Sequence, residues 1–258
     1  MKPKTLIIRT AGTNCDRELA YAFELAGAET ETHHLNDLIA NPQQIASFDL
    51  IGFPGGFSYG DDIAAGRIFA NRVKHRLLEP LQAAVERGTA IIGICNGFQV
   101  LVKLGLLPDP TKAVQVTTLA DNTEGRFLDR WVTQVTDPDT KCIWTKGLDQ
   151  YELPIAHGEG RFVVENDSVL ADLESAGLIA IRYGAGDNPN GSTDDIAGIC
   201  DPTGLILGLM PHPERFVDPT HYPQWTRQNA DFMKQTPAGL VFFQNAVQHV
   251  ISKATAGA

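Results

Sequence analysis

The sequence predicts an α/β protein with a mostly parallel, doubly wound sheet flanked by helices and a small antiparallel extension. Three observations carry this. Short β-rich runs alternate with longer amphipathic runs through the first hundred residues. The run Ala90-Ile91-Ile92-Gly93-Ile94-Cys95 is apolar on both faces, as a strand in the middle of a parallel sheet must be. Beyond it, strand-like runs follow one another without long helices between them, which is antiparallel logic.

Taken in order, 5–10 reads as a strand, 16–26 as a helix, 29–35 as a strand and 49–53 as a strand. Helices are expected at about 62–73 and 75–87, then the buried strand 90–95 and a helix from about 96 to 106. Strands at 114–118, 127–135 and 162–164 form the antiparallel part. The βα pattern returns with strands 179–183, 196–200 and 205–210 and a closing helix near 238–252. Residues 218–237, polar and containing Trp225, read as an insertion covering the surface. No Gly/Ser/Pro linker separates two periodic halves, so 1–258 is expected to form one domain.

Composition narrows the function. With 258 residues, 43% of them apolar, the chain can bury a substantial core. Its 31 acidic against 21 basic residues give a formal charge of −10, which repels nucleic acid and anionic bilayers. No apolar run approaches the ~20 residues of a membrane helix, and the start Met1-Lys2-Pro3-Lys4 is followed by too short an apolar stretch for a secretory signal. A cytoplasmic protein without nucleic-acid or membrane partners is expected. The four cysteines, Cys15, Cys95, Cys142 and Cys200, show neither disulfide pairing nor metal-ligand spacing, and no metal is called for.

Gly93-Ile94-Cys95-Asn96-Gly97 places glycines two residues either side of a cysteine, where a buried strand turns into a helix. This is the nucleophile-elbow arrangement with sulfur as the nucleophile. The glycines leave room for the turn, and the helix N-terminus favours a thiolate while presenting the Asn96 amide to an oxyanion. A second donor is expected from Gly55 or Gly56, in Phe53-Pro54-Gly55-Gly56-Phe57 at the end of a neighbouring strand. The base is His212, in Met210-Pro211-His212-Pro213-Glu214-Arg215. Flanking prolines exclude helix, and in an extended segment Glu214, two residues on, faces the same side and can orient the imidazole.

These residues resemble the triad-type class I glutamine amidotransferases, whose signature is a G-x-C-x-G-x-Q elbow with a distant H-x-E: here Gly93 to Gln99, and His212 with Glu214. Within that flavodoxin-like class, six blocks are similar to the glutaminase subunits of phosphoribosylformylglycinamidine synthase. They are Gly12-Thr13-Asn14-Cys15-Asp16, Pro54 to Asp61, Cys95 to Gln99, His157-Gly158-Glu159-Gly160-Arg161, Asn188 to Ser192, and Met210 to Arg215.

The resemblance implies Cys95 as nucleophile, His212 as base and then acid, Glu214 as its orienter, Gly56 and Asn96 as oxyanion amides, and Gln99 in contact with L-glutamine. It implies no cofactor in this subunit. ATP and Mg2+ would be used by a synthetase subunit, PurL, in a complex with a small subunit, PurS. Two departures stand out: the family's Arg-Asn pair falls where this chain reads Asp121-Asn122, so the arginine's contribution is missing or replaced by Arg126, and 218–237 is longer than in compact members. Partner docking is expected around Phe57 to Asp62 and the His212 loop.

Two alternatives are a glutaminase for another acceptor, and a non-catalytic redox or binding protein of the same fold, against which the His212-Glu214 pair argues. Cys15 is expected to pack behind the first helix, capped by Thr13 and Asp16, with Cys142 and Cys200 structural. His157 is expected either to shape the glutamine site or to be structural, and the other five histidines lack ligand spacing.

Overall fold

The computed structural model describes residues 2–256. The first strands are β1 (Lys4–Arg9), β2 (Glu29–His34), β3 (Leu50–Phe53) and β4 (Ala90–Ile94). They alternate with α1 (Asp16–Leu25), α2 (Leu35–Ala40), α3 (Arg67–Arg76), α4 (Leu78–Arg87) and α5 (Asn96–Leu104). The later elements are β5 (Thr117–Ala120), β6 (Leu128–Thr136), β7 (Gln150–His157), β8 (Arg161–Val164), α6 (Asp167–Ser175), β9 (Ile179–Tyr183), β10 (Ile196–Cys200), β11 (Ile206–Leu209) and α7 (Ala238–Ala256).

Nine strands form one sheet in the order β2-β1-β3-β4-β11-β10-β9-β6-β7, and β5 pairs with β8 apart from it. From β2 to β11 every pairing is parallel, and from β10 to β7 every pairing is antiparallel. The doubly wound half is therefore continued by a four-stranded arm, wider than a small extension.

The site follows from this order. β4 lies between β3 and β11, and all three run the same way. Their carboxyl ends therefore deliver Cys95, the Gly55-Gly56 loop and the His212 segment to one edge of the sheet, where open α/β sheets bind ligands. Ala90 to Ile94 are all buried, as the two-sided apolar run requires.

Several boundaries differ from expectation for local reasons. The helix expected at 62–73 begins only at Arg67, because Gly66 is left-handed (φ 70°) and the amides of Ala65 and Gly66 are held by the Glu159 and Asp61 carboxylates. Strand β7 was not anticipated: its Pro154 argues against a central strand, but β7 is the sheet's edge, where proline is tolerated. Helix α6 was also missed, although Asn166 caps it by accepting from the Ser168 and Val169 amides. His34 caps α2 by accepting from the Asn36 amide at 3.1 Å. Residues 218–237 form short 3-10 turns, anchored where Tyr222 packs edge-on against Trp131 and donates to Glu152.

Helix α5 packs against the end of β3 so closely that a methyl group on Gly97 would lie 2.0 Å from the Phe53 carbonyl oxygen. Backbone cannot give way as a flexible side chain can. Gly97→Ala is expected to cost about 3 kcal/mol of stability, read as a lower urea midpoint at unchanged slope.

Candidate active site

Cys95 sits where β4 turns into α5 with φ 52° and ψ −106°, a conformation that L residues rarely adopt and that costs ~1–3 kcal/mol. Its peptide is held on both sides. The Cys95 amide donates to the Leu209 carbonyl at 2.8 Å, and the Cys95 carbonyl accepts from the Gln99 amide at 3.1 Å. The glycines are steric necessities: a methyl on Gly93 would lie 2.6 Å from Leu101 Cδ1 and 2.7 Å from the Gly97 oxygen. The Asn96 amide, at the first turn of α5, has no intrahelical acceptor, and the positive end of the helix dipole lies beside the sulfur.

The β3 loop passes on the other side. A methyl on Gly55 would stand 3.0 Å from His212 Cε1, 3.2 Å from Cys15 Sγ and 3.5 Å from Cys95 Cβ, so bare backbone threads between these side chains. Gly56 has φ 139° and closes an isolated bridge to Thr13, tying the β3 loop to the loop after β1.

The His212 segment is held by backbone bonds to two strands. Its amide donates to the Pro154 carbonyl of β7 at 2.8 Å, and Met210 donates to Ala197 of β10 at 3.0 Å. Its Nδ1–H donates to Glu214 Oε1 at 2.7 Å, with both side chains almost wholly buried. The backbone route differs from the expected extended segment. Pro213 opens a 3-10 turn over Pro213–Arg215, and this turn, not strand alternation, brings the carboxylate to the ring. Proline's fixed φ suits either conformation, so the prolines alone did not decide. Burial opposes the charged imidazole, but the Glu214 carboxylate and hydrogen bonds with the Cys15 and Cys95 thiols hold the His212 pKa well above its ordinary value.

His157 ends β7 and lines the same cleft. Burial, with His212 nearby, pushes its pKa down to about 3, so the ring is neutral. Its Nδ1–H donates to Asn122 Oδ1 at 3.0 Å, and Asn122 Nδ2 donates back to the His157 carbonyl at 2.8 Å. Gln99 lines the cleft, but its amide is committed: Nε2 donates to the Glu159 carbonyl at 2.6 Å and Oε1 accepts from Asn96 Nδ2 at 3.0 Å. The Asn96 side chain also donates to Asp61, whose carboxyl burial pushes up against the lowering effect of its Gly66 and Asn96 hydrogen bonds.

Sequence reasoning missed Cys15. Its side chain makes no cap on α1; Thr13 Oγ1 accepts from Thr10 instead, and Asp16 pairs with Arg9. Cys15 Sγ points into the site, accepting from Arg215 Nη2 at 3.1 Å and lying 3.2 Å from Asn14 Oδ1. Its place in a block shared with Asn14 was the available signal. Asn122, which ties His157 to Gly160, carries no signal of its own in the sequence beyond its place in the departing pair.

The cleft encloses about 480 Å³, room for a small amino acid, between Cys95, His157 and His212. Carboxylates of Asp61, Asp121, Asp129 and Glu159 line it together with the guanidinium groups of Arg126 and Arg215. Both signs suit a zwitterion. Arg126 reaches the lining while paired with Glu124 at 2.6 Å. At the mouth, the exposed rings of Phe57 and Phe127 lie 6.2 Å apart.

A strained cysteine elbow, a buried His-Glu pair and a mostly parallel sheet define a glutamine amidotransferase, and the family model of the CobB/CobQ-like glutamine amidotransferase domain matches residues 2–250. The phosphoribosylformylglycinamidine synthase subunit PurQ of Dehalococcoides mccartyi is 48% identical over 252 residues, covering 96% of this chain and 97% of that one. The PurQ subunit of Methanococcus maripaludis strain S2 is 41% identical over 266 residues, covering 96% and 97%. A chain in the structure of PurLQS from Thermotoga maritima superposes with a TM-score of 0.73 at 31% identity, covering 96% and 99%. The chain belongs to the PurQ family of glutamine amidotransferases.

Proposed function

We infer that this chain is the glutaminase subunit of a phosphoribosylformylglycinamidine synthase. It hydrolyses L-glutamine to glutamate and ammonia and passes the ammonia to a synthetase subunit that uses ATP and Mg2+ to convert formylglycinamide ribonucleotide to formylglycinamidine ribonucleotide in purine biosynthesis. The observation that carries this reading is the buried Cys95, His212 and Glu214 set at the head of a cleft, in a chain 48% identical to a PurQ subunit.

The Cys95 thiolate attacks the side-chain carboxamide of glutamine, and the oxyanion is taken by the amides of Asn96 and of the Gly55-Gly56 loop. His212 holds the proton taken from the thiol and gives it to departing ammonia. It then takes a proton from the water that hydrolyses the γ-glutamyl thioester. Glu214 keeps the proton on Nδ1, leaving Nε2 facing the reaction. His157, held neutral, cannot compete as an acid; it shapes the wall opposite.

PurL is the synthetase partner and PurS a further subunit, as the composition named for the Thermotoga maritima structure supports. Cytoplasmic placement goes with this pathway; among the described residues no helix is long and apolar enough to cross a membrane. The exposed Phe57 and Phe127 at the cleft mouth, with exposed Ile63 between the cleft-lining Asp61 and Ala65, form the docking edge, since ammonia leaving Cys95 must enter the partner before it reaches water. Asp61, expected on that rim, is instead turned inward onto Gly66 and Asn96, so its replacement would disturb the site itself.

The test is coupling. The isolated chain is expected to hydrolyse glutamine slowly, and its synthetase with ligands to raise the rate severalfold, because the bare Gly55-Gly56 backbone lets a partner complete the oxyanion site. Ile63→Glu, at a side chain 65% exposed, should reduce that stimulation and leave basal hydrolysis intact. Full activity alone, with no response to the synthetase, would contradict the reading.

A further inference from the structure

The chain carries a net charge of −10, yet helix α3 holds Arg67, Arg72, Lys74 and Arg76 and no acidic residue. Arg72 is committed, donating to Asn36 at 2.7 Å and to Tyr59. Arg67 and Lys74 lie on one face of the helix. With Lys103, from the last turn of α5, they line a groove of about 560 Å³ outside the catalytic cleft. Glu159 is the acidic residue of that lining, so three cations against one carboxylate leave a charge of +2 there. Among the described residues none of the three cations forms an ion pair. Burial pushes the Lys103 pKa down and Arg67 pushes the same way, against Glu159 and Asp61. Unpaired like charges gathered in one place repel, and an anion that covers them is favoured.

The groove lacks the fittings of a phosphate cradle. The amides of Ala65 and Gly66, at the start of α3, are already taken by Glu159 at 3.1 Å and Asp61 at 3.2 Å. Arg67 and Lys74 are exposed on long, flexible stems, which suits the charged rim of a protein interface. Position points the same way. Ala64 and Arg67 follow directly on the exposed Ile63, so the groove continues the apolar docking edge.

We propose that this groove receives an acidic segment of the synthetase partner, a choice of occupant that rests on the glutaminase-subunit reading. Carboxylates of the segment pair with Arg67, Lys74 and Lys103, steering the encounter and fixing its register, while the apolar edge supplies hydrophobic burial. Glu159 lines both groove and cleft; its carboxylate holds the Ala65 amide, and its carbonyl accepts from Gln99 Nε2 of helix α5 at 2.6 Å. A segment seated there therefore meets a residue that also shapes the cleft.

The test uses the full chain and its synthetase. Lys74→Glu is expected to raise the Kd of the complex about tenfold at low salt and about twofold or less at high salt, because exposed charge pairs are screened. Basal glutamine hydrolysis should stay unchanged. Arg87→Glu, the same charge change at the far end of α4, should leave the Kd as it is. In the wild-type complex a carbodiimide, which joins amines directly to carboxyls, should link Lys74 to Asp or Glu of the synthetase, and this result stands without any variant. With the wild-type chain bound and stimulated, an unchanged Kd for Lys74→Glu, or no cross-link from Lys74 to the synthetase, would overturn the groove assignment and leave the glutaminase reading intact. Protection of Lys74 from acetylation by inorganic phosphate or ATP, but not by the synthetase, would give the groove to a small anion instead. A wild-type chain that neither binds nor responds to the synthetase would overturn both.

Discussion

Cys95→Ala is expected to abolish glutamine-dependent synthesis in the reconstituted complex while leaving synthesis from ammonium salts running. The sulfur stands at the end of the central strand β4, in a backbone conformation held by Leu209 and Gln99, and nothing else in the cleft is so placed to attack a carboxamide. Free ammonia bypasses that step, because the elbow generates ammonia and does not consume it. Cys15→Ala should retain glutaminase activity, since Cys15, although it too precedes a helix, has ordinary backbone (φ −98°) and lacks the strained elbow and the Asn96 amide that stand at Cys95. Rates with both nitrogen sources in the three chains decide the matter. Equal loss with glutamine and ammonium after the Cys95 change, or equal damage from the Cys15 change, would contradict the assignment.

His212→Asn should be nearly as damaging, lowering kcat by about 10³-fold or more, because it removes the group that accepts and returns the proton. Glu214→Gln should leave measurable turnover, about 10- to 100-fold down, because nucleophile and base both survive. It should also move the pH profile. The Glu214 charge raises the His212 pKa against the opposing effect of burial, so removing that charge lowers it and shifts the histidine limb of kcat/KM toward acid. Unchanged rates in folded His212→Asn, or an unshifted limb in Glu214→Gln, would refute the pairing.

The parallel half of the fold was legible because its signals are local: an apolar run for β4, glycines for the elbow, amphipathic periods for α1 and α4. The arm was less legible. β7 carries Pro154, which reads as a break until its edge position is known. The His212-Glu214 contact was anticipated but its route was not, since prolines at 211 and 213 are compatible with extended chain and with a 3-10 turn alike. Cys15 illustrates what sequence cannot supply. Its neighbours 12–16 resemble a capping segment, and only the closure of the β1 and β3 loops onto the His212 segment, 197 residues away in the case of Glu18 and Arg215, shows that its sulfur belongs to the site. Gln99 is the converse: its position in the elbow motif suggested substrate contact, while its amide is spent on Glu159 and Asn96.

The central claim, that Cys95 carries the glutamine chemistry, is tested most directly by trapping the intermediate. The complex is mixed with isotopically labelled glutamine, quenched in acid during turnover, digested and mapped by mass spectrometry. The account predicts a γ-glutamyl thioester on the peptide containing Cys95, absent from Cys95→Ala and accumulating in Glu214→Gln if thioester hydrolysis slows more than its formation. A labelled adduct on Cys15, or steady glutamate production with Cys95 unmodified under conditions that preserve thioesters, would contradict it.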